Sequence, residues 1–191
     1  AGAKGVSPTT FARFIDFKVV CSPRELAEGK HRGAVTIRPH GQEPLVLPVE
    51  LTVVKPKEYT DYIGIDFGTT NSVVAVLSSR EKSGLALVKD ESSGKDLIPS
   101  VLVFDDPETY KIGESARNEA DTAPDRTVRS IKRVMGYERD RTFFDRSYSA
   151  SQLASLIIRR LVQFAEEKLH AESGNGARYN VRKAIITVPA N

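Results

Sequence analysis

The chain has 191 residues, 40% of them hydrophobic, which is enough apolar material for one medium domain or two small ones and excludes a wholly disordered chain. Its 28 basic residues against 25 acidic ones leave a formal charge of +3, close to balanced over this length, so charge alone does not point to nucleic acid. No apolar run reaches the roughly 18 residues a membrane span needs, and the start lacks a secretory pattern; cytosol is the default expectation, although the chain opens without Met. Cys21 has no partner for an internal disulfide, and His31, His40 and His170 show no metal-ligand spacing.

From Phe11 to Val54 the pattern is β throughout. Phe11–Val20 and Gly33–Arg38 alternate apolar and polar residues, and Leu45–Val54 follows. Ser22-Pro23, Glu28-Gly29-Lys30 and Pro39-His40-Gly41 supply turn chemistry between them. Three strands cannot cover both faces of a two-layer core, so this part is expected to be incomplete and open to association through its strand edges. The run from Leu26 to Ile37, followed by Leu47–Val53, resembles the last strands of bacterial immunoglobulin-like modules. Residues 1–55 are therefore expected to be the C-terminal strands of an immunoglobulin-like β-sandwich. Residues 56–60 are expected as a charged linker, and 61–191 as a second domain.

In the second domain, Tyr62–Asp66, the turn Phe67–Thr70 and Asn71–Leu77 predict strand, tight turn, strand. Leu85–Val88 and Leu97–Phe104 predict further strands, and Ser115–Ala120 and Thr127–Val134 short helices, with Pro124 near the start of the latter. Leu153, Leu156, Ile157, Leu161, Phe164, Ala165 and Leu169 recur at helical spacing and predict a long helix over 151–171, capped by Ser149 with Gln152 and ended by Gly174-Asn175-Gly176. Val181–Val188 predicts a buried strand. The order of elements indicates an α/β domain.

Chemistry concentrates in Ile63–Ser72. A carboxylate, Asp66, ends a strand; Gly68 lets backbone approach an anion; Thr69 and Thr70 add hydroxyl donors. Such a turn suits phosphates, with Asp66 placed to hold a magnesium ion through water. Taken alone, the segment is also compatible with an ordinary hairpin whose Asp and Thr satisfy their own turn. It is not a P-loop, because no Gly-Lys-Ser/Thr follows.

This segment resembles the first phosphate loop of the actin, sugar-kinase and heat-shock ATPase superfamily. Further ordered matches resemble the seventy-kilodalton heat-shock (DnaK-type) branch: Ile98-Pro99-Ser100-Val101, Ile112-Gly113 with Ala116 and Asn118, Pro124–Gly136, and Val181–Ala190 ending in Thr-Val-Pro-Ala. The resemblance implies an α/β fold of ribonuclease-H-like, actin-type ATPase lobe, present in part. It implies ATP or ADP and Mg2+ as cofactors, and allows K+. It assigns Asp66 to the metal and to catalysis, Gly68, Thr69 and Thr70 to phosphate binding, and Lys132 to the terminal phosphate and the attacking water. Without that context Lys132 reads as a solvated helix charge, as Arg133 does. Pro189 corresponds to a proline that helps couple nucleotide state to the substrate domain.

The implied parent is an ATP-hydrolysing chaperone of protein folding and the stress response, acting on extended polypeptide clients with co-chaperones through domains not in this chain. Because the family needs a downstream glutamate, a second Gly-rich loop and another lobe, 61–191 alone is expected to be a truncated first lobe with negligible ATPase activity. Three departures stand out: about 60 residues precede the phosphate turn, Tyr137–Tyr148 is shorter than the family's corresponding stretch, and Asn191 stands where the family has an aromatic residue. The short stretch counts against exchange factors that dock there. Arg126, Arg129, Lys132, Arg133, Arg139, Arg141 and Arg146 permit a nucleic-acid reading, which the interleaved Asp125, Glu138, Asp140 and Asp145 disfavour. Neither nucleic acid nor membrane is an expected partner. Two alternatives stand: a partner-binding β-sandwich with a scaffold or weakly nucleotide-binding ATPase-like domain, and a sugar kinase. The Lys132 segment and the Thr-Val-Pro-Ala strand argue against the kinase.

Overall fold

The computed structural model describes residues 26–38, 41, 43–137, 140–174 and 176–187. The expected strand Phe11–Val20, Cys21, His40, Glu138, Arg139, Asn175 and the Val188–Asn191 end lie outside the described residues. The chain divides into two compact units, Ala1–Val53 and Val54–Asn191.

In the first unit, β1 (Gly29–Ile37) pairs antiparallel with β2 (Leu45–Val53), with Val35 opposite Leu47 and His31 opposite Leu51. β1 starts earlier than expected, since Gly29 and Lys30 continue the ladder to Val53 and Thr52 instead of turning. Pleating places Val35, Ile37, Leu47, Leu51 and Val53 on one half-buried face. The other face carries Lys30 and Arg32, both paired to Glu50 at 3.3 and 3.0 Å. No described residue of this unit is buried.

The second unit is built on a mixed sheet. β4 (Ile63–Asp66) runs antiparallel to β5 (Asn71–Leu77), which pairs antiparallel with β6 (Leu85–Leu87) and, at its start, with β7 (Ile98–Pro99). Preceding these, β3 (Lys57–Tyr59) pairs in parallel with β13 (Tyr179–Val181), and β14 (Ala184–Thr187) pairs in parallel with β4. The segment expected as a linker thus contributes a strand. β2 ends at Val53, ahead of Pro56, but Tyr59 beyond the proline is buried and packs edge-on against Tyr179, ring centroids 6.1 Å apart, and that burial holds the segment in place.

α2 (Ala150–Glu172) forms where the apolar stripe predicted it. Its first turn is closed by reciprocal bonds: Gln152 N–H donates to Ser149 Oγ and Ser149 N–H to Gln152 Oε1. Ser173 N–H donates to the Leu169 carbonyl at its end, and Gly174 follows at φ +65°. Leu153, Ile157, Leu161, Phe164, Ala165 and Leu169 share one core with Ile63 and Ile65 of β4 and Val74 and Val76 of β5. Two-residue alternation on the strands and 3.6-residue periodicity on the helix meet in that layer.

Three expectations need correction. Leu97–Phe104 is two strands, β7 and β8 (Leu102–Phe104), in different sheets; Pro99 supplies no N–H, so the ladder cannot run through it. β8 pairs with β9 (Tyr110–Ile112) and β10 (Thr127–Val128). Thr127–Val134 is therefore not a helix. Its β-branched start pairs with Val103 and Leu102, Ser130 turns left-handed at φ 53°, and only Ile131–Val134 coils, as a 3-10 turn. Third, the strand expected over 181–188 is split: Val181 ends β13, and β14, at the edge of its sheet, is exposed at all four positions, Ile185 and Ile186 included. The expected short helix is present as α1 (Glu114–Glu119), and β11 (Arg141–Phe143) with β12 (Arg146–Tyr148) forms a hairpin whose Phe143 and Tyr148 stack on Phe104. Among the described residues no helix is long and apolar enough to cross a membrane.

Candidate functional site at the Asp66–Thr70 turn

The β4–β5 hairpin carries the site. Ile63, Ile65 and Phe67 point into the core, so strand alternation turns Asp66 outward at the strand end. The turn is closed tightly: a Cβ on Gly68 would run into the carbonyl oxygen of Asn71, so no other residue fits without moving the backbone. Thr69 is half-buried and Thr70 exposed, leaving both hydroxyls accessible. Two bonds fix the turn from outside. Ser100 N–H donates to the Thr70 carbonyl at 2.8 Å, and Phe67 N–H donates to the Thr187 carbonyl at 3.3 Å.

Lys132 reaches this turn across 65 residues of sequence: its Nζ donates to the Phe67 carbonyl at 2.7 Å and lies 5.9 Å from the Phe67 ring centroid. Val128 and Ile131 are buried in the core on either side of the left-handed Ser130, and this anchoring delivers the lysine. Lys132 is half-buried, unlike the solvated helix charge its local sequence suggests, whereas Arg133 is exposed. Asp66, Gly68, Thr69, Thr70 and Lys132 are thus gathered at one turn. Pro189 lies outside the described residues.

Beside the turn is a cleft of about 300 Å3, lined by Thr69, Thr70, Ser100, Arg117, Arg129 and Ser130 among others. Its arginines are paired: Arg129 with Asp121 at 2.6 Å, Arg117 with Glu114. Three arginines of the basic run bond to backbone carbonyls. Arg126 donates to the carbonyls of Phe104 and Asp105, Arg141 to that of Thr127, and Arg146 to that of Pro107.

Three interactions involving Ser72, Ser100, Thr187 and Asp90 are not signalled by the site motif itself. Ser72 and Ser100 are buried and hydrogen-bonded to each other at 2.9 Å, pinning β5 to the segment after β7. Thr187 Oγ1 donates to Asp66 Oδ1 at 3.0 Å. Asp90 is a buried carboxylate that accepts from Ser92 N–H, Ser93 N–H and Ser93 Oγ on one oxygen and from Glu114 N–H on the other. The Asp-Glu-Ser-Ser-Gly run at 90–94 carries the side-chain turn chemistry that could have revealed this last one. Titration shifts fall elsewhere: the hydrogen bonds Lys111 donates to the carboxylates of Asp105 and Glu119 push it up, and burial raises the Tyr110 phenol.

Asp66 passes a test for a hard divalent cation. Its carboxylate is exposed, one oxygen is held by Thr187, and among the described residues no hydrogen bond is made to the other. A single carboxylate among hydroxyls suits an ion that keeps most of its water and shares phosphate oxygens. The described residues contain no cluster of three or more His, Cys, Asp or Glu side chains that would form an all-protein metal cage.

Fold and site together define a partial actin-type α/β lobe with an open glycine-threonine turn beside a lysine. Residues 62–147 match the model of the Hsp70 protein family. Curated relatives include the chaperone protein DnaK of Mycoplasmopsis agalactiae, 39% identical over 128 residues, and those of Ureaplasma parvum and Mesomycoplasma hyopneumoniae, at 35% and 34% over the same length. Each alignment covers 67% of this chain and 19% of the relative, so the chain spans about a fifth of the length of the chaperones it matches. Through its second unit, the chain belongs to the Hsp70 family.

Proposed function

We propose that this chain is part of an ATP-binding and ATP-hydrolysing chaperone of the Hsp70 type, and that the Asp66–Thr70 turn with Lys132 is its contribution to the nucleotide site. The observation that carries the reading is the 2.7 Å bond from Lys132 Nζ to the Phe67 carbonyl, which sets a cation on a turn otherwise made of small residues and hydroxyls. Phosphoryl transfer to water asks for positioning and charge neutralisation, and this set supplies both. Gly68 keeps side-chain atoms out of the path of a phosphate, while Thr69 and Thr70 donate hydroxyl hydrogens to its oxygens. Lys132 keeps two N–H donors beyond the one spent on Phe67, and these are available to a terminal phosphate and to the water that attacks it. Asp66 would hold Mg2+ through water, and the ion would supply further neutralisation of phosphate charge.

Clients, co-chaperones and a cytoplasmic setting belong to the same proposal, as do the C-terminal strands of an immunoglobulin-like β-sandwich in residues 1–55, to which β1 and β2 would belong. The test is calorimetric titration of the full-length protein with Mg-ATP. Saturable one-site binding that weakens when Gly68 is replaced by Ala, with far-UV dichroism unchanged, supports the reading. Absence of binding by the unmodified protein contradicts it.

A further inference from the structure

We infer that Thr187 is a positioning residue for the Asp66 carboxylate, so that edge strand β14 sets the aim of the proposed cation ligand; the inference rests on the reading of Asp66 given above. Thr187 stands in register with Asp66 across the parallel β14–β4 pair. It makes two separate bonds to the start of the turn. Its Oγ1 donates to Asp66 Oδ1 at 3.0 Å, and its carbonyl accepts from Phe67 N–H at 3.3 Å.

Phe67 passes the constraint on, since its carbonyl accepts from Lys132 Nζ at 2.7 Å. Phe67, between the proposed metal-binding carboxylate and the phosphate turn, is thereby held through its N–H by β14 and through its carbonyl by Lys132. Both Thr187 and Asp66 are exposed, so a hydroxyl–carboxylate bond between them does little for the fold. What it does is remove rotational freedom from a short side chain. With Oδ1 clamped, Oδ2 faces outward in one orientation, ready for a water of a hydrated cation without first losing rotamer entropy. A hydroxyl one shell away from a metal ligand has this effect in general, by orienting the ligand before the ion arrives.

Two substitutions separate the hydroxyl from the strand. Thr187→Val keeps the β-branched shape and the main-chain bond to Phe67 but removes the donor; Thr187→Ser keeps the donor. The experiment measures ADP affinity of the full-length protein in Mg2+ and in EDTA, and Mn2+ binding to the ADP-loaded protein by electron paramagnetic resonance. Neither readout needs turnover. Thr187→Val is expected to lose about 10- to 100-fold in Mn2+ affinity, and to stay within about twofold of the unmodified protein in EDTA, while Thr187→Ser recovers most of the loss. Equal Mn2+ affinity in Thr187→Val and the unmodified protein would overturn the inference and leave the nucleotide-site reading standing. Equal impairment of both variants, or a loss that persists in EDTA, would overturn it too, by showing that strand packing matters rather than the hydroxyl. If the unmodified protein binds ADP with no dependence on Mg2+, the Asp66 reading fails and this inference falls with it.

Discussion

Two of the antiparallel hairpins, β1–β2 and β4–β5, differ in opposite directions. The β1–β2 ladder is nine residues long on each strand, yet none of its described residues is buried. The β4–β5 pair is much shorter, but Ile63, Ile65, Val74 and Val76 are sealed under α2. Ladder length and side-chain burial are therefore separate properties: hydrogen bonds set the register, and a covering layer buries the side chains. The turn proposed to bind phosphate lies on the covered hairpin, where Gly68 approaches the Asn71 carbonyl and Lys132 bonds to Phe67.

The comparison can be broken with substitutions on either side. The largest stability effect should come from Ile157→Ala, which opens a cavity between α2 and the sheet and is expected to cost about 3 kcal/mol in denaturant unfolding of the full chain. Next is Asp90→Ala, which takes the acceptor from Ser92, Ser93 and Glu114 donors around a buried position, at about 2 kcal/mol by the same measurement. Val46→Thr on β2 should change stability by less than about 0.5 kcal/mol, because Val46 is 56% exposed. A large loss from Val46→Thr, or a small one from Ile157→Ala, would reverse the contrast.

Much of the covered hairpin was legible in the sequence, because its signals are local. Ile63-Gly-Ile-Asp66 alternates, Asn71–Leu77 carries a β-branched apolar run, Gly68 marks the close turn, and the α2 stripe with its Ser149–Gln152 cap can be read residue by residue. Features that depend on partners distant in sequence were not. Thr127–Val128 looks helical until Leu102 and Val103 are placed opposite it, and Lys57–Tyr59 looks like a linker until Tyr179 arrives to pack on Tyr59. The segment 181–188 reads as one buried strand by composition, but its division between β13 and β14 depends on partners far off in the sequence.

The site divides the same way. Asp66, Gly68, Thr69 and Thr70 declare themselves within one short segment, whereas Lys132 was singled out only through its resemblance to a family pattern. The bond from Thr187 to Asp66 depends on a parallel register that nothing local encodes.

The most direct test of the nucleotide-site account is single-turnover hydrolysis of Mg-ATP by the full-length protein and its Lys132→Ala variant, with binding measured in parallel. The account predicts that both bind ATP and that the variant turns over about 100-fold more slowly or worse, as loss of one preorganised charge donor does. Equal turnover by the two, or no ATP binding by the unmodified protein, would contradict it.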